Sequence, residues 1–314
     1  MEEVYIMEPI SQSSCLKKLH IDLMIVAASA DQRAYEGIRS VLHNGIYVEK
    51  LLVLKFKSQQ IFADDPLYEA YNQYAALEIP VVEVELPEDD IAVDLSVFEG
   101  RNILIDITSF TIPNLFRLLF VLRTVIGITD FHILYTEPKH YTFEADTFGS
   151  YAYFIGEREY KALDEFYISG DDKEILTIFL GFDRMTSSLV KEAVNPTETI
   201  LVNGFPSMTP KLKDVSLLNN RELISVVGKP RFSVKTNNPF STYNVLQKIQ
   251  QEHPDTLINV CVLGTKAMAL GAGIYALQNK NIKLSYAHTK KCAAKISYGV
   301  SNTWYYHFML SKCP

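Results

Sequence analysis

The chain has 314 residues, 48% hydrophobic and 21% charged, with a formal net charge of −7. That length accommodates one large domain or two ordinary ones, and that apolar content excludes a disordered chain. No apolar run reaches membrane-spanning length, since the longest, residues 103–128, is broken by Asp106, Pro113, Arg117 and Arg123.

Residues 21–30, IDLMIVAASA, form a short apolar run ending in small residues, the pattern of a buried parallel strand. A helix is predicted over 33–42 and a second strand, KLLVLKF, over 50–56. Residues 66–77 carry apolar and aromatic side chains at helical spacing, and IPVVEVEL at 79–86 is a third strand leading into the acidic loop Pro87-Glu88-Asp89-Asp90. NILIDITSF at 102–110 is a fourth strand, Pro113 opens an apolar helix, and FHILYTEP at 131–138 is a fifth strand. Strands alternating with helices in this way call for a parallel sheet covered on both faces.

Residues 139–174 lack a clear period and read as a connection with some helix, which puts a boundary between halves 1–150 and 151–314. The alternation then resumes. Strands are predicted at 175–183, 198–205, 231–236, 258–264 and 282–288, with helices at 185–194, 241–252 and 267–278. The tail, VSNTWYYHFML at 300–310, alternates as an antiparallel edge strand does. The fold class is therefore α/β, as two tandem Rossmann-like parallel-sheet halves. The halves read as a degenerate internal duplication, with Thr108 matching Thr265, Tyr135 matching Tyr286, and Asp31-Gln32-Arg33 matching Asp183-Arg184.

Charge is unevenly spread. Residues 1–150 carry 11 Lys+Arg against 23 Asp+Glu, and residues 151–314 carry 19 against 14. No acid follows Asp255, whereas seven lysines do: Lys266, Lys280, Lys283, Lys290, Lys291, Lys295 and Lys312. Such a segment attracts anions, nucleotide or nucleic acid, or else balances the acidic half, within the chain or across a homo-oligomer. Cys15, Cys261, Cys292 and Cys313 form no C-x-x-C pair, and the Met-Glu-Glu start lacks the basic-then-apolar order of a secretory signal. A cytoplasmic location without membrane contact is expected.

Ligands of an open parallel sheet lie beyond the carboxyl ends of its strands. At the end of the first strand, Ser29 is a ligand candidate, and Arg33 either clamps a phosphate or pairs with Asp31. Arg184 has the same two readings, with Asp183 as its neighbour. Asp106, Thr108 and Ser109 end the fourth strand, as ligand-binding groups or as a capped turn in which Asp106 bonds a neighbouring loop. Tyr135 and Tyr286 are candidates for stacking on a base. Glu137 and His288 join Asp106 as the acid–base groups an enzyme acting on a nucleotide or nucleoside would use, although a lone histidine is more often structural. Gly264-Thr265-Lys266 combines close backbone approach, a hydroxyl and a positive charge at a helix start, or is simply a turn with Thr265 as N-cap. Gly271 and Gly273 fall inside the following helix and point to close packing. The sequence contains no P-loop, G-x-G-x-x-G, H-E-x-x-H, G-x-S-x-G or carboxylate cluster at metal spacing, so no cofactor or metal is expected.

The polar loop from Ser29 to Arg33, and the strand followed by Gly264-Thr265-Lys266 and a small-residue helix, resemble the CRISPR-associated Rossmann-fold (CARF-like) sensor superfamily. Asp106-Ile107-Thr108-Ser109 would be the degenerate counterpart in the first half. The resemblance covers the sheet cores but neither residues 139–174 nor the tail. It implies a non-catalytic sensor or scaffold subunit of an antiviral defence system, binding an oligonucleotide messenger at its strand ends. With a single G-T-K turn the ligand need not be bound symmetrically, and with no appended nuclease the effector would be a separate protein. A purely structural partner protein is the remaining alternative.

Overall fold

The computed structural model describes residues 4–29, 31, 33–56, 73–86, 102–141, 154–166, 174–205, 210–292 and 297–311. The chain divides into two compact units, Met1–Thr142 with Ala294–Pro314, and Phe143–Ala293. Among the described residues no helix is long and apolar enough to cross a membrane.

Among the described residues the first unit holds seven strands: β1 (Val4–Pro9), β2 (Leu23–Ala27), β3 (Leu51–Phe56), β4 (Val81–Leu86), β5 (Ile103–Asp106), β6 (Asp130–Tyr141) and β13 (Ser297–Met309). Their order is β1-β13-β6-β5-β2-β3-β4, with β2 to β6 parallel and β13 antiparallel to both β6 and β1. β2 is buried throughout, as a central parallel strand covered on both faces must be. On one face Ile38 and Val41 of α1 (Arg33–His43) join Met24, Val26, Leu51, Val53, Leu104, Leu134 and Tyr305 in the core. After β5, α2 (Ile112–Phe120) starts at Thr111, whose hydroxyl accepts the Asn114 N–H, and has a proline in its first turn.

The second unit holds β7 (Phe154–Leu163), β8 (Glu174–Phe179), β9 (Glu198–Gly204), β10 (Phe232–Val234), β11 (Leu257–Val262) and β12 (Ile282–Cys292), in the order β10-β9-β8-β11-β12-β7. Its helices are α3 (Arg184–Val194), α4 (Pro210–Asn219), α5 (Arg221–Val227), α6 (Pro239–Glu252) and α7 (Lys266–Ala276). α7 is buried on nearly every side. A side chain at Gly271 would overlap the Pro239 carbonyl, so this glycine lets α6 and α7 pack closely.

Numbered within each unit, the five parallel strands run 3-2-1-4-5 in both sheets, the doubly wound order. In both, strand five is flanked by an antiparallel strand, and that strand is exchanged. β7 follows β6 in the chain but pairs with β12, whereas β13 follows β12 but pairs with β6.

Several expectations are revised. The tail is not an edge strand of the second half, since β13 lies inside the first sheet between β1 and β6. The units therefore differ from a division into 1–150 and 151–314. Part of the stretch expected to be a connection is β7, and α4 and α5 occupy a region where no element was predicted. β1 was also unforeseen. Most of the helix expected at 66–77, and the acidic loop at 87–90, lie outside the described residues.

Candidate functional site

The topological switch point of a 3-2-1-4-5 sheet lies between strands one and four, and there the units diverge. In the first unit it joins the loops after β2 and β5. Ser29 Oγ accepts the Asp31 N–H at 3.1 Å. Arg33 donates through Nε and Nη2 to the Asp31 carboxylate at 3.0 and 2.7 Å, and through Nη1 to the Thr136 carbonyl at 3.1 Å. Thr108 donates its N–H and O–H to Asp106 Oδ1 at 3.0 and 2.5 Å, and its hydroxyl accepts the Thr136 N–H at 2.9 Å. Arg33, Asp106 and Thr108 are 8%, 2% and 4% exposed.

Asp106 Oδ2 presses against Gly37 of α1, where any side chain would overlap it, and has no hydrogen-bond partner among the described residues. Burial pushes the Asp106 carboxyl up to about 6, against the pull of the Thr108 hydrogen bonds and the Arg33 charge. Arg33 and Thr108 thus tie the loops after β2 and β5 to β6, and Asp106 is covered. Ser109 Oγ is likewise buried, without a hydrogen-bond partner among the described residues. Tyr135 and Glu137 are buried on β6, and Tyr286 is buried on β12, so the tyrosines present no face for a base to stack on. His288 is half-buried on β12 in register with Glu159 of β7. Asp106 and Glu137 belong to one unit and His288 to the other, so no single unit gathers all three acid–base candidates.

In the second unit the same edge is held by bonds to the loop after β8 and by helix caps: Ser216 and Asn220 donate to the Gly181 carbonyl at 3.1 and 2.9 Å, and Asn219 donates to the Phe182 carbonyl at 2.6 Å. Asp183 Oδ1 accepts the N–H groups of Met185 and Thr186 at 3.0 and 3.2 Å, and Asn238 Oδ1 accepts those of Phe240 and Ser241 at 2.9 and 3.2 Å. Thr265 caps α7: its hydroxyl donates to the Thr236 carbonyl and accepts the Met268 N–H at 3.3 Å. The space beside Gly264 is filled by the Met268 thioether, and a side chain at Gly181 would overlap the Leu263 carbonyl. No acid occupies the first turn of α3, α4, α6 or α7. Lys266 begins α7 partly exposed, and Lys235 is exposed in the loop after β10. At the same sheet edge Phe205, directly after β9, is 50% exposed, and Met185, in the first turn of α3, is 64% exposed. These two apolar side chains carried no sequence signal, because exposure is a property of the fold. The Arg184 side chain lies outside what the structure describes.

The acid-free segment is not one patch. Lys280 and Lys283 sit at the amino end of β12, where Lys283 donates to Glu174 at 3.2 Å, and Lys295 and Lys312 lie outside the described residues.

At the amino end of β6, and missed by the sequence reading, Asp130, His132 and His307 come together. His307 Nε2 is 2.5 Å and His132 Nε2 3.6 Å from Asp130 Oδ1, and the imidazoles stack with centroids 4.6 Å apart and planes 15° apart. His132 Nδ1 lies 2.7 Å from the Tyr305 hydroxyl, whose pKa burial drives far up. Hydrogen bonding to His132 and His307 holds the Asp130 carboxyl well below the usual carboxylate range. The only signal in the sequence is period-two alternation, Asp130-x-His132 and Tyr305-x-His307, in segments too far apart to associate by inspection.

No family model matches the chain, and no curated protein matches it. Among solved structures, the cytoplasmic domain of a prokaryotic cation chloride cotransporter is similar over 88% of this chain and 99% of its own, at 7% identity and a TM-score of 0.27. A likeness of that strength carries no argument about ligand or activity.

Proposed function

We propose that this protein is a cytoplasmic nucleotide-binding subunit whose ligand occupies the carboxyl edge of the second unit's sheet. The observation that carries the reading is the pairing at that edge of exposed apolar side chains, Phe205 and Met185, with Lys235, Lys266 and acid-free helix starts. Helix N-termini and lysines favour phosphate, and an exposed aromatic gives a base a surface to stack on. At the first unit's edge Arg33, Asp106 and Thr108 are buried, which supports one ligand position per chain. The output then passes to a separate effector, as the CARF-like resemblance implies.

Isothermal titration with mononucleotides and linear and cyclic oligonucleotides tests this. Expected is saturable binding of at least one nucleotide, weakened in both Lys266→Ala and Phe205→Ala. Absence of heat across the panel, or binding indifferent to both substitutions, overturns it.

A further inference from the structure

We propose that Asp130, His132 and His307 form a binding site for a divalent transition-metal ion of the zinc class, held by two imidazole Nε2 atoms and one carboxylate oxygen. The sheet register builds it. His132 and His307 are direct cross-strand partners on β6 and β13, and Asp130, two residues before His132, emerges on the same face. Both Nε2 atoms are aimed at the same carboxylate oxygen, and the three donor atoms all lie within 4.8 Å of one another. An ion between them needs sub-ångström to ångström adjustments to reach ordinary ligand distances of about 2.0–2.2 Å.

The surroundings suit a metal ligand set better than a plain ion pair. The row across the sheet reads Ile6, His307, His132, Leu104, so apolar residues stand in register on both sides of the histidine pair. The imidazoles are nearly inaccessible, at 3% and 8% side-chain exposure, whereas Asp130 at 44% opens the site to solvent. Buried imidazoles with a carboxylate at the rim provide an entry path and leave room for water at further coordination positions. The Tyr305 hydroxyl accepts the Nδ1–H of a metal-bound His132, the outer-shell partner that fixes the ring and its tautomer. His307 Nδ1 has no such partner among the described residues, so one outer-shell contact is lacking and moderate affinity is expected. Nitrogen and carboxylate donors without thiolate favour zinc, cobalt or nickel over calcium or magnesium.

A second trio, His20, Asp22 and Glu49, also places its donor atoms within 4.8 Å, but its side chains are 56%, 27% and 61% exposed. It supplies the internal control. The experiment uses tag-free full-length protein stripped with chelator and titrated with Co2+, followed by visible absorption, and with Zn2+, followed by calorimetry. Saturable uptake of one equivalent is expected. Asp130→Asn and His307→Gln each weaken it by about 100-fold or more, and Tyr305→Phe weakens it by about 10-fold. His20→Ala leaves it unchanged. Asp130→Asn changes a half-exposed residue and keeps both imidazoles, so its readout does not depend on tolerance of a core substitution. Failure of the wild-type protein to take up one equivalent overturns the site, as does uptake that survives Asp130→Asn but is lost in His20→Ala.

Discussion

The carboxyl edges of the two sheets start from the same strand order and solve the same problem differently. In the first unit, the side chains at the switch point turn inward. Arg33 is fastened to Asp31 and to the Thr136 carbonyl, Thr108 bridges Asp106 and Thr136, and α1 seals Asp106 through Gly37. In the second, Asp183, Asn238 and Thr265 cap the helices they precede, with Thr265 also bonding the Thr236 carbonyl, and Phe205 and Met185 remain at the surface. Equivalent positions therefore do not imply equivalent roles. Thr108 and Thr265 both follow strand four, yet Thr108 folds back onto its own strand and Thr265 caps a helix.

The largest effect that sharpens this contrast is at Gly37. Gly37→Ala drives a methyl group into the Asp106 carboxylate and should cost the first unit about 3 kcal/mol. Gly264→Ala meets the adaptable tip of Met268 and should cost the second unit about 1 kcal/mol or less. Trp304, the single tryptophan, lies on β13, so its fluorescence during urea unfolding reports the first unit. A Gly37→Ala transition no lower than wild type would show that the first edge is looser than described.

Next comes the pH dependence of Asp106. Its folded pKa, about 6, exceeds the unfolded 3.8, so the folded state binds the proton more tightly. Its contribution is full below pH 4 and is lost as the pH rises through 6, about 3 kcal/mol in all by pH 7. Asp106→Asn removes this slope, so its stability relative to wild type should improve steadily from pH 4 to pH 7 in the Trp304 transition. A constant difference across that range would mean that Asp106 is not buried as an acid.

Smaller effects belong to the second edge. Thr265→Val should lower the second unit's stability by about 1–2 kcal/mol through the lost cap, read by circular dichroism, and leave the Trp304 transition in place. Lys266→Ala should shift stability by less than about 0.5 kcal/mol while weakening nucleotide binding about 10-fold. Equal weakening by Arg33→Lys would erase the distinction between the edges.

Most parallel strands were legible because burial on both faces leaves continuous apolar runs such as LMIVA and LLVLKF. β7, FIGEREYKAL, was not, since charged residues interrupt the run that a central strand would show, and β7 lies at a sheet edge. At the site level the turn at Gly264 to Lys266 was visible, and the structure assigns Thr265 the cap that had been the plainer of its two readings. Arg33 likewise took the plainer reading, pairing with Asp31. The cluster at His132 was out of reach, because its partner Tyr305 lies 173 residues along the chain and alternation alone does not say which strands pair.

The exchanged strands set an order of assembly on the ribosome. Residues Phe143–Ala293 form one continuous stretch, so the second unit has all its strands once β12 has emerged. The first unit, translated earlier, has no partner for β1 and an open flank on β6 until β13 follows. The half made first is thus finished last, and throughout that interval its unpaired strand edges must be kept from pairing with neighbouring nascent chains.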